Sequence, residues 1–303
     1  MHATMNYLRT NLSRLKLITF DVTDTLLEYA VRPERRYAQV INGILGPHIN
    51  LQIDEDAISK SFVSCFRMMK SQYPNFGCQG KHADESNDRE ENWRWWWRTL
   101  VERVVLEAAS QSGYIKVPPV LLTTIANQLI DDYTYDTKHM CWKKRPGVDQ
   151  FMSAVQETAN SSTSQSQRKI MGIISNFDSR LSTILRNHEI SSASKDNPRL
   201  DFILTSYEAG VEKPDPQIFQ IALNHANRIS HACTVHPHEA LHIGNLCKED
   251  YLGARSAGWH ALLVNVSKTK KNEELRTTIP KMHIFAGFPE LQDRLETDPT
   301  FEW

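Results

Sequence analysis

The 303-residue chain has no apolar run long enough to cross a bilayer, which excludes an integral membrane protein with helical spans. It has no Cys-x-x-Cys pair, and its five cysteines are odd in number and scattered, so we expect reduced thiols rather than a disulfide framework. Charge of one sign is not in excess either, because 35 basic and 36 acidic residues leave a net charge of -1. We therefore expect neither nucleic acid nor an anionic membrane as the main partner.

The first sixteen residues contain no acidic residue and carry three basic ones, Arg9, Arg14 and Lys16. A basic segment without acids resembles an organellar presequence, but a frayed leader ahead of the first strand is the preferred interpretation. We expect no secretory signal peptide. The expected location is intracellular, in the cytosol or nucleus, in preference to the mitochondrion.

One stretch carries the most information about chemistry. The apolar and β-prone residues Leu17-Ile18-Thr19-Phe20 run directly into Asp21, and a tight polar turn follows. A buried parallel strand ends in this way and delivers its carboxylate to the carboxyl edge of a sheet, where α/β proteins place their reactive groups. Asp is a weak general base at neutral pH, but a positioned carboxylate beside a cation can attack phosphorus and form an aspartyl-phosphate.

Three further segments follow in the order that this chemistry requires. A second apolar strand ends in the hydroxyl of Ser175 and the amide of Asn176. A turn then places Lys213 ahead of two prolines, and a helical pattern follows. A third strand ends in Asn245, and its loop reaches Asp250 before another helical pattern. The segments therefore supply a hydroxyl, an amide, a cation and a further carboxylate.

These side chains match the requirements of phosphoryl transfer. A phosphoryl group in transit needs a nucleophile, hydrogen-bond donors, a fixed cation and a metal that screens the nucleophile. Asp21, Ser175 and Lys213 would be the nucleophile, the donor and the cation, and the loop of Asn245 and Asp250 would hold the metal. Each also has a structural explanation, because Ser175 can cap a helix, Lys213 can be a solvated loop residue and Asp250 can face a helix dipole. The order of the four segments favours the chemical interpretation.

Strand-like and helix-like patterns alternate along much of the chain, which predicts an α/β protein with a doubly wound, Rossmann-like parallel sheet. The predicted strands are Leu15–Asp21, Lys169–Ser175, Phe202–Ser206, Leu241–Gly244 and Ala261–Asn265. The predicted helices between them include Gly147–Thr158, Gln217–Asn227 and Tyr251–Ala257.

Between Leu27 and Pro146 no strand pattern is evident, and only helical patterns occur. These predicted helices are Glu34–Leu45, Asp54–Lys70, Arg89–Ser110 and Val120–Tyr133. We therefore predict a core domain made of residues 1–31 and 144–303, with an all-helical insertion at 32–143. Inserted after the first strand of a parallel sheet, these helices are expected to cover its carboxyl edge. Trp93, Trp96 and Trp97 share one helical face and are expected to pack the insertion onto itself or onto the core.

The ordered motifs resemble the haloacid dehalogenase-like (HAD) hydrolase superfamily. The residues that carry this resemblance are Thr19–Leu27, Tyr73–Gly77, Trp93–Trp97, Ile174–Leu181, Glu212–Phe219, Leu241–Gly244 and the pair Asp250-Tyr251. They extend over most of the chain. The resemblance implies the core described above, with the helical insertion acting as a cap domain of the first insertion type.

The resemblance also implies a role for each matched residue. Asp21 would be the catalytic nucleophile, with Thr23 and Lys213 as the other catalytic positions. Mg²⁺ would be the cofactor, bound beside the nucleophile. A purely structural role remains equally open for Thr25, which lies in the turn. The implied substrate-binding set is Thr25, Ser175, Asn176 and Lys213, and the implied metal-binding set is Asp21, the backbone carbonyl of Thr23, Asn245 and Asp250.

Two positions depart from the family pattern. Thr23 stands two residues after the nucleophile, where most phosphatases of the superfamily carry an Asp that protonates the leaving group and later activates water. Asp24 starts one residue away and is expected to point elsewhere. Because general acid–base catalysis contributes ~100- to ~10,000-fold, we expect slow turnover. Asn245 replaces a metal-binding Asp, which removes one negative charge and predicts weak magnesium binding.

The leading hypothesis is therefore a Mg²⁺-dependent phosphatase of a small phosphorylated metabolite, with weakened or slow turnover. A metal-free haloacid dehalogenase-type hydrolase is the enzymatic alternative, because such enzymes also lack an acid at the position of Thr23 and carry Asn at that of Asn245. A catalytically degenerate fold that acts as a binding or regulatory protein is a third hypothesis. The sequence identifies neither the substrate nor any protein partner.

Overall fold

The computed structural model describes residues 7–78, 92–113, 116–136, 138, 141–160, 169–194, 197–230 and 234–303. Its strands are β1 (Leu17–Phe20), β2 (Leu27–Tyr29), β3 (Trp142–Lys144), β4 (Ile170–Ser175), β5 (Ser192–Ser194), β6 (Asn197–Pro198), β7 (Phe202–Thr205), β8 (Ala240–Gly244), β9 (His260–Val264) and β10 (Ile284–Phe285). Within this part of the chain, no helix combines the length and the apolar composition that a bilayer span requires.

The helices alternate with these strands over much of the chain. They are α1 (Leu8–Asn11), α2 (Pro33–Ile49), α3 (Glu55–Gln72), α4 (Asn92–Gln111), α5 (Pro119–Thr134), α6 (Val148–Asn160), α7 (Leu181–Asn187), α8 (Ser206–Ala209), α9 (Pro216–Ile229), α10 (Gly253–Ser256), α11 (Lys270–Arg276) and α12 (Phe288–Thr297). A π-helical turn at Cys247–Leu252 directly precedes α10. The predicted helix Tyr251–Ala257 therefore begins four residues earlier, in a wider turn.

The described residues form two compact units. The first comprises Met1–Glu28, Lys144–Asn176 and Glu189–Trp303, and the second comprises Tyr29–Lys143 and Phe177–His188. The segment Phe177–His188 belongs to the second unit although it directly follows a strand of the first.

The first unit is built on a six-stranded sheet in the order β10-β9-β8-β1-β4-β7. All of its strand pairs are parallel, which confirms the predicted doubly wound α/β fold. The central strands β1, β4 and β8 are buried along their whole length, as expected of a parallel sheet with helices on both faces. The rings of Phe20, Phe151 and Phe288 pack together in this core, with centroids 5.1–6.3 Å apart.

The register of the sheet brings the predicted site residues to one edge. Phe20 of β1 lies opposite Ile173 of β4 and Ile243 of β8. Because all three strands run in the same direction, the residues that follow them meet at the carboxyl edge of the sheet. Asp21, Ser175 and Asn245 are placed there together.

The second unit contains α2, α3, α4, α5 and α7, and the first four of these helices pack around a hydrophobic cluster of their own. This cluster includes Leu45, Ile58, Val104 and Ile125, all fully buried. Trp96 of α4 is also fully buried there, and its indole N–H donates a hydrogen bond to a backbone carbonyl of the same unit, 2.9 Å away. The helices α2, α3, α4 and α5 have the predicted bounds to within a few residues, whereas α7 was not predicted.

A polar and aromatic cluster holds Phe177–His188 in the second unit. The buried carboxylate of Asp178 accepts hydrogen bonds from the Arg180 guanidinium at 2.8 and 2.9 Å and from the Trp97 indole at 2.7 Å. The guanidinium lies 4.8 Å from the ring centroid of Trp97 and 5.1 Å from that of Trp93. Cation–π contacts and charge-assisted hydrogen bonds of this kind are favourable in a desolvated site.

The prediction that no strand lies between Leu27 and Pro146 is wrong. The strands β2 and β3 pair there in a short two-stranded ribbon. Each contains only three residues, so neither presents enough alternation to be recognised without its partner. The edge strand β10, which has two residues, was not predicted for the same reason.

Candidate active site

Asp21 is positioned by the end of β1 and the turn that follows it. The Asp21 backbone N–H donates to the carbonyl of Ile243 at 2.9 Å, which continues the pairing of β1 with β8. In the turn, the carbonyl of Val22 accepts from the N–H groups of Thr25, Leu26 and Leu27 at 2.9–3.1 Å. The Asp21 carboxylate is therefore held on a rigid backbone at the edge of the sheet, with 10% of its side chain exposed.

The side chains around Asp21 include those predicted from the sequence. The Asp21 Oδ1 atom accepts from the Lys213 ammonium at 2.8 Å and from the Ser175 hydroxyl at 3.1 Å. The Thr25 hydroxyl lies 3.4 Å from Oδ2, near the limit for a hydrogen bond. The structure thus brings Asp21, Ser175, Thr25 and Lys213 together.

Lys213 is almost fully buried, and its ammonium has three acceptors. Besides Asp21, these are the backbone carbonyl of Ile174 at 2.8 Å and Asp250 Oδ1 at 2.6 Å. Burial by itself would lower the pKa of Lys213, but the two neighbouring carboxylates outweigh it and raise this pKa. The lysine is therefore a fixed cation between two anions.

Asn176 orients the backbone of this lysine. Its side-chain N–H donates to the Lys213 carbonyl at 2.9 Å, and its side-chain oxygen accepts from the Lys213 N–H at 2.8 Å. This reciprocal pair connects the end of β4 to the turn that carries the lysine. The predicted substrate contact of Asn176 stays a prediction, and the contact that the structure shows is with Lys213.

Asp250 has hydrogen-bond donors on both carboxylate oxygens. Its Oδ2 accepts from the backbone N–H groups of Asn245 at 2.9 Å and Leu246 at 2.8 Å, while Oδ1 faces Lys213 and, at 3.2 Å, the imidazole of His242. Burial opposes its ionisation, but the Lys213 ammonium and the donor from His242 dominate and hold the pKa of Asp250 well below its ordinary value.

Gly244 makes room for this carboxylate. A Cβ atom at Gly244 would stand 2.2 Å from the Asp250 side-chain carboxyl carbon, which is far inside van der Waals contact. Any other residue at this position would displace Asp250 or the strand end. The glycine in this motif therefore has a packing explanation.

Asp24 does not approach the Asp21 carboxylate. It adopts a positive φ of 60°, a conformation that Asp tolerates better than most residues, and its carboxylate lies 3.6 Å from the Arg145 guanidinium. Arg145 also pairs with Glu28 at 3.0 Å. The expectation that Asp24 points away from the nucleophile agrees with this ion pair.

Hard oxygen ligands for a cation are few at this edge. Among the described residues, no cluster of three or more His, Cys, Asp or Glu side chains could hold a metal. However, the Asn245 side-chain oxygen is buried and has no hydrogen-bond partner within the described chain. An unpaired buried amide oxygen at the same edge of the sheet as Asp21 fits a cation ligand. With the Asp21 carboxylate and the Thr23 carbonyl it would form a weakly charged oxygen site for Mg²⁺.

Two residues of this network were not predicted from the sequence. His242 lies in the middle of β8, and its imidazole connects Asp250 to the hydroxyl of Thr19 in β1, 2.9 Å away. The signal available in the sequence was a histidine inside an otherwise apolar strand. A buried polar group requires hydrogen-bond partners, so such a residue indicates a polar network behind the site.

Comparison with known protein families agrees with this arrangement of residues. The family model described as haloacid dehalogenase-like hydrolase matches residues 15–258. The chain belongs to the haloacid dehalogenase-like hydrolase family. This confirms the resemblance that the ordered motifs indicated.

Relatives within this HAD-like family cover most of the chain. The rhythmically expressed gene 2 protein of Drosophila melanogaster is 33% identical over 84% of this chain and 85% of its own length. The human haloacid dehalogenase-like hydrolase domain-containing protein 3 is 30% identical, over 93% of this chain and 94% of its own. The HAD-hydrolase YfnB of Bacillus subtilis, whose structure was solved with magnesium bound, has a TM-score of 0.55 at 16% identity, with coverage of 93% and 99%. That likeness supports the HAD fold.

In the metal-free protein, we expect Asp21 to titrate near pH 6. Burial raises the pKa of Asp21 from 3.8 to about 6, although the Lys213 ammonium opposes this shift. Because the pKa of Asp21 is higher in the folded state, the protonated carboxyl contributes stability that is fully present below pH 3.8. This stability is lost as the pH rises through about 6. A carbon-13 NMR titration of labelled aspartate carboxyls measures this pKa, with Asp21→Asn identifying the signal. An inflection near pH 4 would contradict the predicted shift.

Proposed function

We propose that this HAD-like hydrolase is a Mg²⁺-dependent phosphatase of a small phosphorylated metabolite that acts through an aspartyl-phosphate at Asp21. The observation that carries this proposal is the carboxylate of Asp21 at the sheet edge, with the Lys213 ammonium at 2.8 Å and the Ser175 hydroxyl at 3.1 Å on one oxygen. A fixed cation and a donor beside a carboxylate are what an attack on phosphorus requires.

The two oxygens of Asp21 have different environments, which supports Oδ2 as the attacking atom. Oδ1 is occupied by Lys213 and Ser175, whereas the recorded contact of Oδ2 in the described chain is the 3.4 Å approach of the Thr25 hydroxyl. Oδ2 therefore retains lone pairs for bond formation. It would form the bond to phosphorus while the substrate's leaving oxygen departs with the electron pair of the broken bond.

The cation and the hydroxyl would then contact the transferred group. Charge on its oxygens is best stabilised by donors that are already in place before the reaction. The ammonium of Lys213 and the hydroxyl of Ser175 both donate to Asp21 Oδ1, so each would have to turn only from this oxygen to an oxygen of the transferred group. Substrate contacts of Thr25 and Asn176 remain part of this proposal.

Magnesium would be held by the Asp21 carboxylate, the Thr23 carbonyl and the Asn245 amide oxygen. When bound, it would screen the negative charges of the carboxylate and the phosphoryl group from each other. Asp250 was predicted as a fourth ligand, but its oxygens already accept from Lys213, His242 and two backbone N–H groups. We propose that Asp250 supports the site mainly through Lys213, which leaves the metal with a single carboxylate.

The chain's near-neutral charge supports a small substrate. A net charge of -1 gives no field that would attract nucleic acid or an anionic membrane, and we propose neither as a partner. A phosphorylated metabolite would instead be recognised by the fixed charges at the sheet edge.

The proposal is tested by incubating the protein with acetyl phosphate and Mg²⁺. We expect a covalent phosphoryl label that is absent from the Asp21→Asn variant, with slow release of free phosphate. A panel of phosphorylated sugars, nucleotides and amino acids then identifies the substrate class. If the wild type acquires no more label than Asp21→Asn, the proposed phosphatase activity is disproved. A catalytically inactive binding protein then becomes the better interpretation.

Asn245→Asp is expected to tighten Mg²⁺ binding by about tenfold or more, because a carboxylate replaces a neutral ligand of a hard cation. Titration calorimetry measures this affinity without requiring turnover. Asn245→Leu is the matched control and is expected to weaken Mg²⁺ binding, since it removes the oxygen. Equal affinities of the wild type and Asn245→Asp would exclude this residue as a metal ligand.

Metal-free hydrolysis of a 2-haloacid is a second candidate function, and the state of Asp250 favours it. With this carboxylate saturated by protein donors, Asp21 and Lys213 form a nucleophile and a cation that need no metal. Attack of Asp21 on a carbon that bears a halogen would expel halide and form an ester, which water then hydrolyses. Halide release from 2-chloropropionate in the presence of EDTA tests this candidate, with Asp21→Asn as the control.

A further inference from the structure

A line of buried polar groups runs behind the candidate active site. Thr19 and His242 are fully buried in the middle of β1 and β8, and Asp250 is 1% exposed. Their neighbours along both strands are apolar. Polar groups in such a place are costly unless each is paired, so their hydrogen bonds define their arrangement.

The direction of each hydrogen bond follows from what the groups can donate. An ionised carboxylate only accepts, and the Lys213 ammonium only donates. The His242 Nε2 atom, 3.2 Å from Asp250 Oδ1, must therefore carry a proton and donate it. In a neutral imidazole, Nδ1 is then the acceptor, so the single proton of the Thr19 hydroxyl goes to Nδ1 at 2.9 Å and not to the more distant Leu241 carbonyl at 3.3 Å. Burial supports the neutral form, since it lowers the pKa of His242 to about 4.

The imidazole has little freedom to leave this orientation. The ring of Phe219 packs edge-on against His242, with centroids 5.3 Å apart and planes at 81°. The Thr19 hydroxyl holds one ring nitrogen, and Asp250 holds the other. The positions of Thr19 in β1 and His242 in β8 therefore direct the imidazole Nε2–H toward Asp250 Oδ1.

This N–H completes the arrangement of the Asp250 carboxylate. Oδ2 is anchored by two backbone N–H groups, and Oδ1 is shared by His242 and Lys213. With one side of Oδ1 occupied by the imidazole, the other side is directed at the ammonium. The ammonium, in turn, contacts Asp21.

We propose that His242 is a positioning residue, which acts through Asp250 to hold the Lys213 ammonium against the nucleophile Asp21. Its importance for catalysis rests on the proposed function of Asp21 and Lys213, whereas its effect on the position of Lys213 does not. The imidazole itself touches neither the nucleophile nor, in this proposal, the substrate.

The proposal is tested with His242→Gln and His242→Asn. The Gln amide N–H can reach the place of Nε2, whereas the shorter Asn amide matches Nδ1, so only Gln can restore the donor to Asp250. We expect Gln to preserve the binding of inorganic phosphate within a few-fold. We expect Asn to weaken it ~10- to ~100-fold, the range for a lost hydrogen bond to a charged group. Calorimetric titration with orthophosphate measures both.

Nitrogen-15 NMR provides a readout that does not depend on the proposed function. A buried ammonium exchanges its protons slowly, so the Lys213 signal should be visible in the wild type and in His242→Gln, and lost in His242→Asn. Lys213→Met identifies the signal. His283→Gln is the matched control, because His283 is also buried but bonds to Tyr251 and the carbonyl of Glu302. The His283→Gln variant should have a lower free energy of unfolding than the wild type but should keep the Lys213 ammonium signal.

Two results would overturn the proposal. One is an equal Lys213 signal and equal phosphate affinity in His242→Gln and His242→Asn. The other is a measurement on the wild type alone, in which the nitrogen-15 chemical shifts of the His242 imidazole show a protonated Nδ1 and an unprotonated Nε2. Should the wild type bind no phosphate at all, the proposed function fails, while the NMR signals still decide whether His242 positions the lysine.

Discussion

Lys213→Met should abolish the proposed phosphatase activity and also lower the free energy of unfolding by about 3–5 kcal/mol, the cost of removing one partner from a buried ionic group. The Lys213 ammonium lies between two carboxylates, Asp21 and Asp250, whose oxygens are 2.8 and 2.6 Å away. Without the cation, these two buried negative charges face each other. Their repulsion is expected to raise the pKa of Asp21 above about 6, so that less of the nucleophile is ionised at neutral pH.

The double variant Lys213→Met with Asp250→Asn separates the two effects. It removes one buried negative charge along with the cation, so we expect it to recover part of the lost stability but none of the activity. Denaturant unfolding measures the first effect, and acetyl phosphate labelling measures the second. Activity of Lys213→Met within tenfold of the wild type would contradict the assigned role of the lysine.

The core of the fold could be predicted because its strands are mainly apolar. Leu17–Phe20, Ile170–Ser175 and Ala240–Gly244 are buried along their whole length, and burial follows the apolar pattern except at polar residues such as Thr19 and His242. The short ribbon of Leu27–Tyr29 and Trp142–Lys144 could not be predicted in this way. Its strands are defined by pairing with each other over more than a hundred residues, which leaves no local periodicity.

The sequence predicted which residues form the candidate site better than it predicted their hydrogen-bond partners. Residue type and chain order placed Asp21, Ser175 and Lys213 at one sheet edge, where the structure has them in contact. The partners of Asp250 could not be deduced, because they depend on two backbone N–H groups and on the space above Gly244. Contacts of this kind are set by three-dimensional packing and leave no motif in the sequence.

The segment Phe177–His188 shows a similar limit. Its position in the chain, directly after β4, suggested that it belongs with the core. In the structure, Asp178 and Arg180 form a buried ion pair against Trp97, and these contacts place the segment in the helical unit. A single acidic and a single basic residue two positions apart look like an ordinary solvated pair until an aromatic neighbour is known.

Thr23→Asp is expected to accelerate release of phosphate by ~100- to ~10,000-fold, the usual contribution of general acid–base catalysis. Thr23 follows the nucleophile by two residues, and its hydroxyl is a poor proton donor at neutral pH. In the proposed mechanism, the leaving oxygen then departs as a costly anion because it has no proton donor, and no base activates the water that would hydrolyse the aspartyl-phosphate. The wild type should therefore accumulate the labelled intermediate, and Thr23→Asp should turn it over.

The matched control is Thr23→Asn, which has nearly the shape of Asp but no titratable proton. Its backbone carbonyl, the proposed metal ligand, is unchanged, so Mg²⁺ affinity should stay close to that of the wild type. Single-turnover experiments with acetyl phosphate separate formation of the intermediate from its hydrolysis. If Thr23→Asn accelerates hydrolysis as much as Thr23→Asp, the gain arises from shape or polarity. In that case the missing proton donor does not limit turnover in this protein.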